Sequence, residues 1–335
     1  MANERYTIGN DLWTNLLEQW AGKFRILAPQ REKRGLYLRP VTRENSRSIV
    51  YGEVRAAQPL KTFLLPPLED VTGPPADAAA PVLFLGVKAC DLSALSILDR
   101  AFGGDFPDPR YQTRRNAGLV VSCDCSDPIE TCFCTLVGGK PFPAQGFDLN
   151  LTPLEGGFLV AVGTDRGGAL LKDVEARLAK VDKSGEQAAT RLHEKTEKNV
   201  NRRNKEWTLS GSLKNRVSGE WESEAWAKHA GTCVECGACN HACPTCHCYF
   251  LDDITQKRLT RLRGWDACLY SGYAVTAGGG TPRPRLSQRF RNRYFCKFKY
   301  LDDNYGQCGC TGCGRCIEGC QGKIDMRATL QDLKP

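Results

Sequence analysis

Residues 233–243 read CVECGACNHAC and residues 310–320 read CTGCGRCIEGC. Each run has the spacing C-x2-C-x2-C-x3-C. Three thiolates at two-residue gaps can cap three irons of one cubane if the backbone turns tightly, and Gly237 and Gly314 permit that turn. The fourth cysteine of each run lies beyond reach of the same cubane and serves the other one. The spacing therefore assigns Cys233, Cys236, Cys239 and Cys320 to one [4Fe–4S] cluster, and Cys310, Cys313, Cys316 and Cys243 to a second. Zinc sites use C-x2-C pairs separated by longer loops, a pattern that consecutive short gaps do not suit. Cys320 is followed by Gln321 rather than proline, which matters little because proline is not a ligand. The run Cys239-x3-Cys243-x2-Cys246 matches a radical-SAM spacing. Two of its cysteines are already used, however, and the chain lacks the repeated βα units of that barrel.

The two runs are separated by Pro244–Gly309, a long insertion for a ferredoxin. It carries Cys246, Cys248, Cys268, Cys296 and Cys308, for which packing beside the clusters is the expectation. Arg283, Arg285, Arg289, Arg291, Arg293, Lys297 and Lys299 also lie there, interleaved with Phe290, Tyr294, Phe295, Phe298 and Tyr300. Such mixtures can bind nucleic acid. Inside a cluster domain they read instead as a packed wall whose positive charge stabilises the reduced clusters.

Towards the N-terminus the pattern changes to alternating strands and helices. Leu12, Trp13, Leu16, Leu17 and Trp20 share a helical face. Arg34–Val41, Pro81–Lys88, Gly118–Ser122 and Gly157–Thr164 are strand candidates, and Gly168–Val181 has helical spacing. Asp91 is the expected N-cap of the helix that follows Pro81–Lys88. The expected fold class is α/β (α+β), with an α/β domain at 1–182, a charged linker or exposed helix at 183–222, and a ferredoxin-like two-cluster domain at 223–335. The first domain has its own cysteines: Cys90 at a strand end, and Cys123, Cys125, Cys132 and Cys134 on a loop after another strand. If those strands are neighbours, their ends meet at one sheet edge, where ligand sites gather. A third [4Fe–4S] cluster on Cys90, Cys125, Cys132 and Cys134 is expected, with Cys123 spare. A zinc site and metal-free thiols are the alternatives.

Composition sets the frame. The chain has 335 residues, 41% hydrophobic and 25% charged, as globular proteins do. No apolar run approaches the roughly 20 residues of a membrane helix, and MANERYTIGNDLW lacks the apolar stretch of a secretory signal. A cytoplasmic protein without membrane insertion is expected. Eighteen cysteines in such a chain point to metal or redox chemistry rather than disulfides. The formal charge of +8 falls to about +4 once two clusters of about −2 each are counted, which weakens a nucleic-acid reading. No G-x-G-x-x-G, P-loop or Ser–His–acid set is evident, so no catalytic residue is assigned. The expected substrates are electrons.

The stretches GVKACDLSALSILDRAF (86–102), DPRYQTRRN (108–116), CSDPIETCFC (125–134) and GFDLNLTPLEGGFLVAVGT (146–164) resemble the beta subunit of cytoplasmic sulfhydrogenases and the dicluster electron-transfer subunit of anaerobic sulfite reductases. CVECGACNHACPTCHC (233–248), RNRYFCKFKY (291–300) and GCGRCIEGC (312–320) continue the resemblance. It implies an anaerobic electron-transfer subunit docked on an FAD- and NAD(P)-binding flavoprotein. Electrons would pass between that flavoprotein and a catalytic subunit of hydrogenase, sulfite reductase or heterodisulfide-reductase type. A catalytic reductase with an open, substrate-binding cluster at the N-terminal cysteines is the rival reading. A docking platform with no third cluster is the other.

Overall fold

The structure is a computed structural model that describes residues 4–33, 35–74, 81–207, 209, 211–255 and 258–334. Its strands are β1 (Arg5–Gly9), β2 (Arg25–Glu32), β3 (Gly35–Pro40), β4 (Leu68–Asp70), β5 (Val82–Val87), β6 (Leu119–Cys123), β7 (Leu149–Leu154), β8 (Gly157–Val162), β9 (Ala179–Lys180), β10 (Tyr249–Thr255) and β11 (Leu259–Trp265). Eight of them form one mixed sheet in the order β3-β2-β5-β6-β7-β8-β1-β9. Strands β2, β5, β6 and β7 run parallel, and the remaining pairings in that sheet are antiparallel.

The alternation of apolar side chains explains the layers. Leu83, Leu85, Val121, Leu149 and Val160 face one side, where the helix Asn10–Ala21 buries Trp13, Leu16, Leu17 and Trp20. Phe84, Val87 and Val120 face the other side and meet Leu92, Leu95, Leu98 and Phe102 of the helix Ala89–Gly103. Apolar burial of this kind stabilises by about 25 cal/mol per Å². The α/β class read from the sequence is the one observed.

Several boundaries differ from the sequence expectations. The helix after β5 begins at Ala89 with Lys88 as its N-cap, so Asp91 lies in its first turn. The Asp91 carboxylate is instead taken by Arg315, in two hydrogen bonds of 2.8 Å. A buried guanidinium needs a counter-charge more than a helix needs one cap. The expected helix at Gly168–Val181 is Asp165–Leu171, capped by the Thr164 hydroxyl on the Gly167 N–H, followed by a 3-10 turn. Ala179–Lys180 then pairs with β1, whose edge offers free backbone partners. Arg34, at the start of an expected strand, lies outside the described residues.

The C-terminal half is tied to the N-terminal half at several points. Strand β4, from the first half of the sequence, pairs antiparallel with β11, which also pairs with β10. The helix Lys183–Arg203 buries Ala189, Thr196 and Val200. It meets the cysteine loop through His193 on Asp124 at 2.6 Å and through the ion pair between Arg203 and Glu130. The helix Leu286–Phe295 continues into a π-helical turn, Cys296–Tyr300. Its aromatic side chains Phe290, Tyr294, Phe295 and Phe298 are buried with Trp226 and Leu330. Phe133, between Cys132 and Cys134, inserts into this same core and is fully buried.

Candidate metal centres

The two cysteine runs fold alike. Gly237 (φ +69°) precedes the short helix Ala238–His241, and Gly314 (φ +76°) precedes Arg315–Glu318. Left-handed backbone is cheap only for glycine, so each run turns back on itself after its second cysteine. Cys233, Cys236, Cys239 and Cys320 line one cavity, with Cys316 in its wall. The Cys320 sulfur accepts the Ile324 N–H at 3.2 Å. Arg293 also lines this cavity and is only 4% exposed. Its Nε has no hydrogen-bond partner, and among the described residues it joins no salt bridge with a carboxylate. A buried cation without a counter-charge costs several kcal/mol, and an anionic group in the cavity would supply one.

The second set is assembled from both runs. The Cys243 sulfur contacts Thr245 Oγ1 at 3.2 Å, and that hydroxyl donates to the Gly309 carbonyl at 2.7 Å. Gly309 precedes Cys310, so this bond draws the end of the first run to the start of the second. Cys316 lies among Cys313, Cys243 and Cys239; burial first, and then their charge, pushes its thiol up to about 12. It therefore stands between the two sets.

The N-terminal cysteines converge at the carboxyl ends of parallel neighbours β5 and β6. Cys90, Cys125, Cys132 and Cys134 line one cavity, and Cys313 of the second run lines it as well. Cys123 is fully buried in the sheet core with Val121 and Leu151 and does not line that cavity. The loop is held from several sides. The Asn204 amide donates to the Cys132 carbonyl at 2.7 Å, and the Phe133 N–H donates to the Gly312 carbonyl at 2.8 Å. Gly312 (φ +62°) and Gly314 press against the Phe133, Cys134 and Thr131 backbones so closely that a Cβ at either would overlap them. Arg55 holds the second run, donating to the Cys313 carbonyl at 2.8 Å and pairing with Glu318.

Burial dominates the acid–base character of these thiols. It pushes Cys125 and Cys134 up to about 12 and raises Cys90 and Cys132. Lys88 beside Cys125, and Arg55 beside Cys132, oppose it. Both cations are buried; Lys88 bonds the Tyr51 and Asp124 carbonyls and the Cys123 thiol, and Arg55 is paired with Glu318. Among the described residues, no three His, Cys, Asp or Glu donors converge as one metal ion requires. Donors on one zinc ion sit about 2.3 Å from the metal and hence close together. Thiols spread around a cavity, flanked by buried cations, fit a larger anionic group. A [4Fe–4S] cluster on four thiolates is such a group, with a net charge of about −2.

Comparison with known proteins gives the class: residues 232–324 match the family of 4Fe-4S dicluster domains, so this is an iron–sulfur protein. The chain is also 34% identical, over 255 residues, to sulfhydrogenase 2 subunit beta of Pyrococcus furiosus, covering 76% of this chain and 74% of that protein. It belongs to the sulfhydrogenase beta-subunit family. Among the described residues no helix is long and apolar enough to cross a membrane.

Sequence reasoning placed Arg293 and Lys297 near the clusters but missed Lys61 and Lys88. Lys61 and Lys88 lie far from the cysteine runs in sequence, and only the fold shows that they lie against sulfur. It also missed Phe133 as the anchor between the halves.

Proposed function

We propose that this chain relays single electrons through three [4Fe–4S] clusters. The assigned ligands are Cys233, Cys236, Cys239 and Cys320; Cys310, Cys313, Cys316 and Cys243; and Cys90, Cys125, Cys132 and Cys134. Such clusters, when bound, supply one-electron transfer. The chain's own residues hold them in series, exclude water and balance their charge. One observation carries this reading: Cys313 lines the N-terminal cavity and Cys316 lines the first, so ligands of the middle set touch both neighbours.

The same reading makes the chain one subunit of a complex, as the name of its P. furiosus relative says of that protein. An FAD- and NAD(P)-binding flavoprotein stands on one side. A catalytic subunit of hydrogenase, sulfite reductase or heterodisulfide-reductase type stands on the other. Four thiols at the N-terminal cavity favour relay over an open catalytic cluster, because they leave no vacant ligand position for a substrate. The deciding experiment is the Cys132→Ser variant within the complete complex. Relay requires that it lose about four irons per chain and that electron flow from NAD(P)H to the terminal acceptor fall sharply. Undiminished flow would sink the three-cluster path.

A further inference from the structure

Four thiols outside these sets lie close to one another: Cys246, Cys248, Cys268 and Cys296. They come from the loop after Cys243, the loop after β11 and the π-helical turn Cys296–Tyr300. The Asn240 amide donates to the Cys268 sulfur at 3.2 Å and to the Cys246 sulfur at 3.7 Å, so one side chain touches both. The Cys248 sulfur contacts the Tyr273 hydroxyl at 3.4 Å. Cys268 and Cys296 lie near that same phenol. The Asp266 N–H donates to the Cys248 carbonyl at 3.0 Å, tying the Cys248 and Cys268 loops together.

Two buried cations face this group. Lys61 Nζ bonds the Asn240 and Cys246 carbonyls at 3.1 and 2.8 Å and lies over the Trp265 ring. Lys297 Nζ bonds Thr245 Oγ1 at 2.6 Å. Among the described residues neither ammonium has a carboxylate partner, and both lie beside Cys246 and Cys243. Neutral thiols would leave two ammonium groups buried beside a single cluster. Metal-bound thiolates would bring further negative charge to these ammonium groups, beyond that of the Cys243 cluster. The π-helical turn is a second sign, since such turns are rare and gather at functional sites. It carries both Cys296 and Lys297. These donors do not converge on one ion, and neither do the thiols of the other three sets.

We propose that Cys246, Cys248, Cys268 and Cys296 hold a fourth iron–sulfur cluster, next to the Cys243 set. The sequence reading gave these cysteines a packing role; the cations and the shared amide argue for ligation. The proposal rests on the chain being an iron–sulfur protein but not on the third cluster.

The test is iron and acid-labile sulfide per chain on the anaerobically purified full-length protein. It compares the wild type with Cys268→Ala, Cys248→Ala and Cys132→Ala. About 16 irons are expected in the wild type, with about four lost in each variant if every cluster is a cubane. A loss of about two in the Cys248 and Cys268 variants supports a two-iron cluster at the same site. The Cys132 loss should remove a different EPR signal from the Cys268 loss. Wild-type iron and sulfide in both the Cys248 and Cys268 variants overturns the fourth site. If those variants do not fold, the wild type decides: about 12 irons, falling to about 8 in Cys132→Ala, overturns the fourth site and leaves the three-cluster relay standing. Iron lost in Cys268→Ala but not in Cys132→Ala supports the fourth site and removes the third.

Discussion

The Phe133 N–H donates to the Gly312 carbonyl at 2.8 Å, and through that bond the N-terminal cysteine loop rests directly on the second cysteine run. Backbone touches backbone because Gly312 has no side chain. Gly312→Ala would place a methyl group against Phe133 and Cys134 in a left-handed conformation that itself costs about 1–2 kcal/mol. The variant should lose iron from the Cys90 set and transfer electrons more slowly. Iron analysis and stopped-flow reduction of the complex would check both.

The Arg315–Asp91 pair is almost fully buried, at 2% and 7% exposure. Asp91→Asn leaves the guanidinium without its counter-charge, and breaking such a pair costs about 3–5 kcal/mol. A clear drop in melting temperature is expected. The double variant Asp91→Leu with Arg315→Met should recover part of it, because it removes both buried charges. Thermal denaturation of the anaerobic proteins measures each.

Glu69 ties β4 to β11 through Arg263 at 2.6 Å and to Arg114. Burial pushes its carboxyl up, but hydrogen bonds and charge from the two arginines outweigh this and leave it below the usual range. A depressed folded value means the contribution is present above the ordinary glutamate pKa of about 4.3. It is lost as pH falls through the folded value. Glu69→Gln should therefore be less stable than wild type at neutral pH. The gap should narrow once the pH drops below about 4. Denaturation of both proteins across that range tests the sign.

Arg293 lines the first cavity without a carboxylate partner. Arg293→Gln removes one buried positive charge from beside Cys239 and Cys316. The potential of the cluster on Cys233, Cys236, Cys239 and Cys320 should fall, because its reduced state carries more negative charge. A change on the order of 1–2 kcal/mol corresponds to roughly 60 mV for one electron. Redox titration followed by EPR would read it, and a rise in potential would refute the assigned role.

Cysteine spacing made the 4Fe-4S dicluster domain legible. Ligand geometry forces regular gaps, and regular gaps survive in a linear string. The sheet was legible where strands are short apolar runs, as at Val82–Val87. Strands β2 and β7 were hidden by Pro29 and Pro153. Both prolines sit past the end of one neighbour: β5 pairs only with Arg25–Leu27, and β6 only with Leu149–Leu151. A proline there forfeits no ladder bond on that side, so it can remain in an interior strand. Asp91 was misread as a cap because its partner, Arg315, lies at the far end of the chain. Cys246, Cys248, Cys268 and Cys296 were given no ligand role because they form no single motif; three separate segments carry them.

Gly312, Arg315 and Leu330 come from the end of the chain, yet they complete the surroundings of Cys90 and Phe133. On the ribosome, the N-terminal cysteines emerge long before these partners exist. Their loop must wait, reduced and uncovered, until synthesis is nearly finished. In the proposed three-cluster relay, loading of the Cys90 set is therefore a late event in biogenesis, and a nascent chain truncated before residue 312 should not retain iron there however much is supplied.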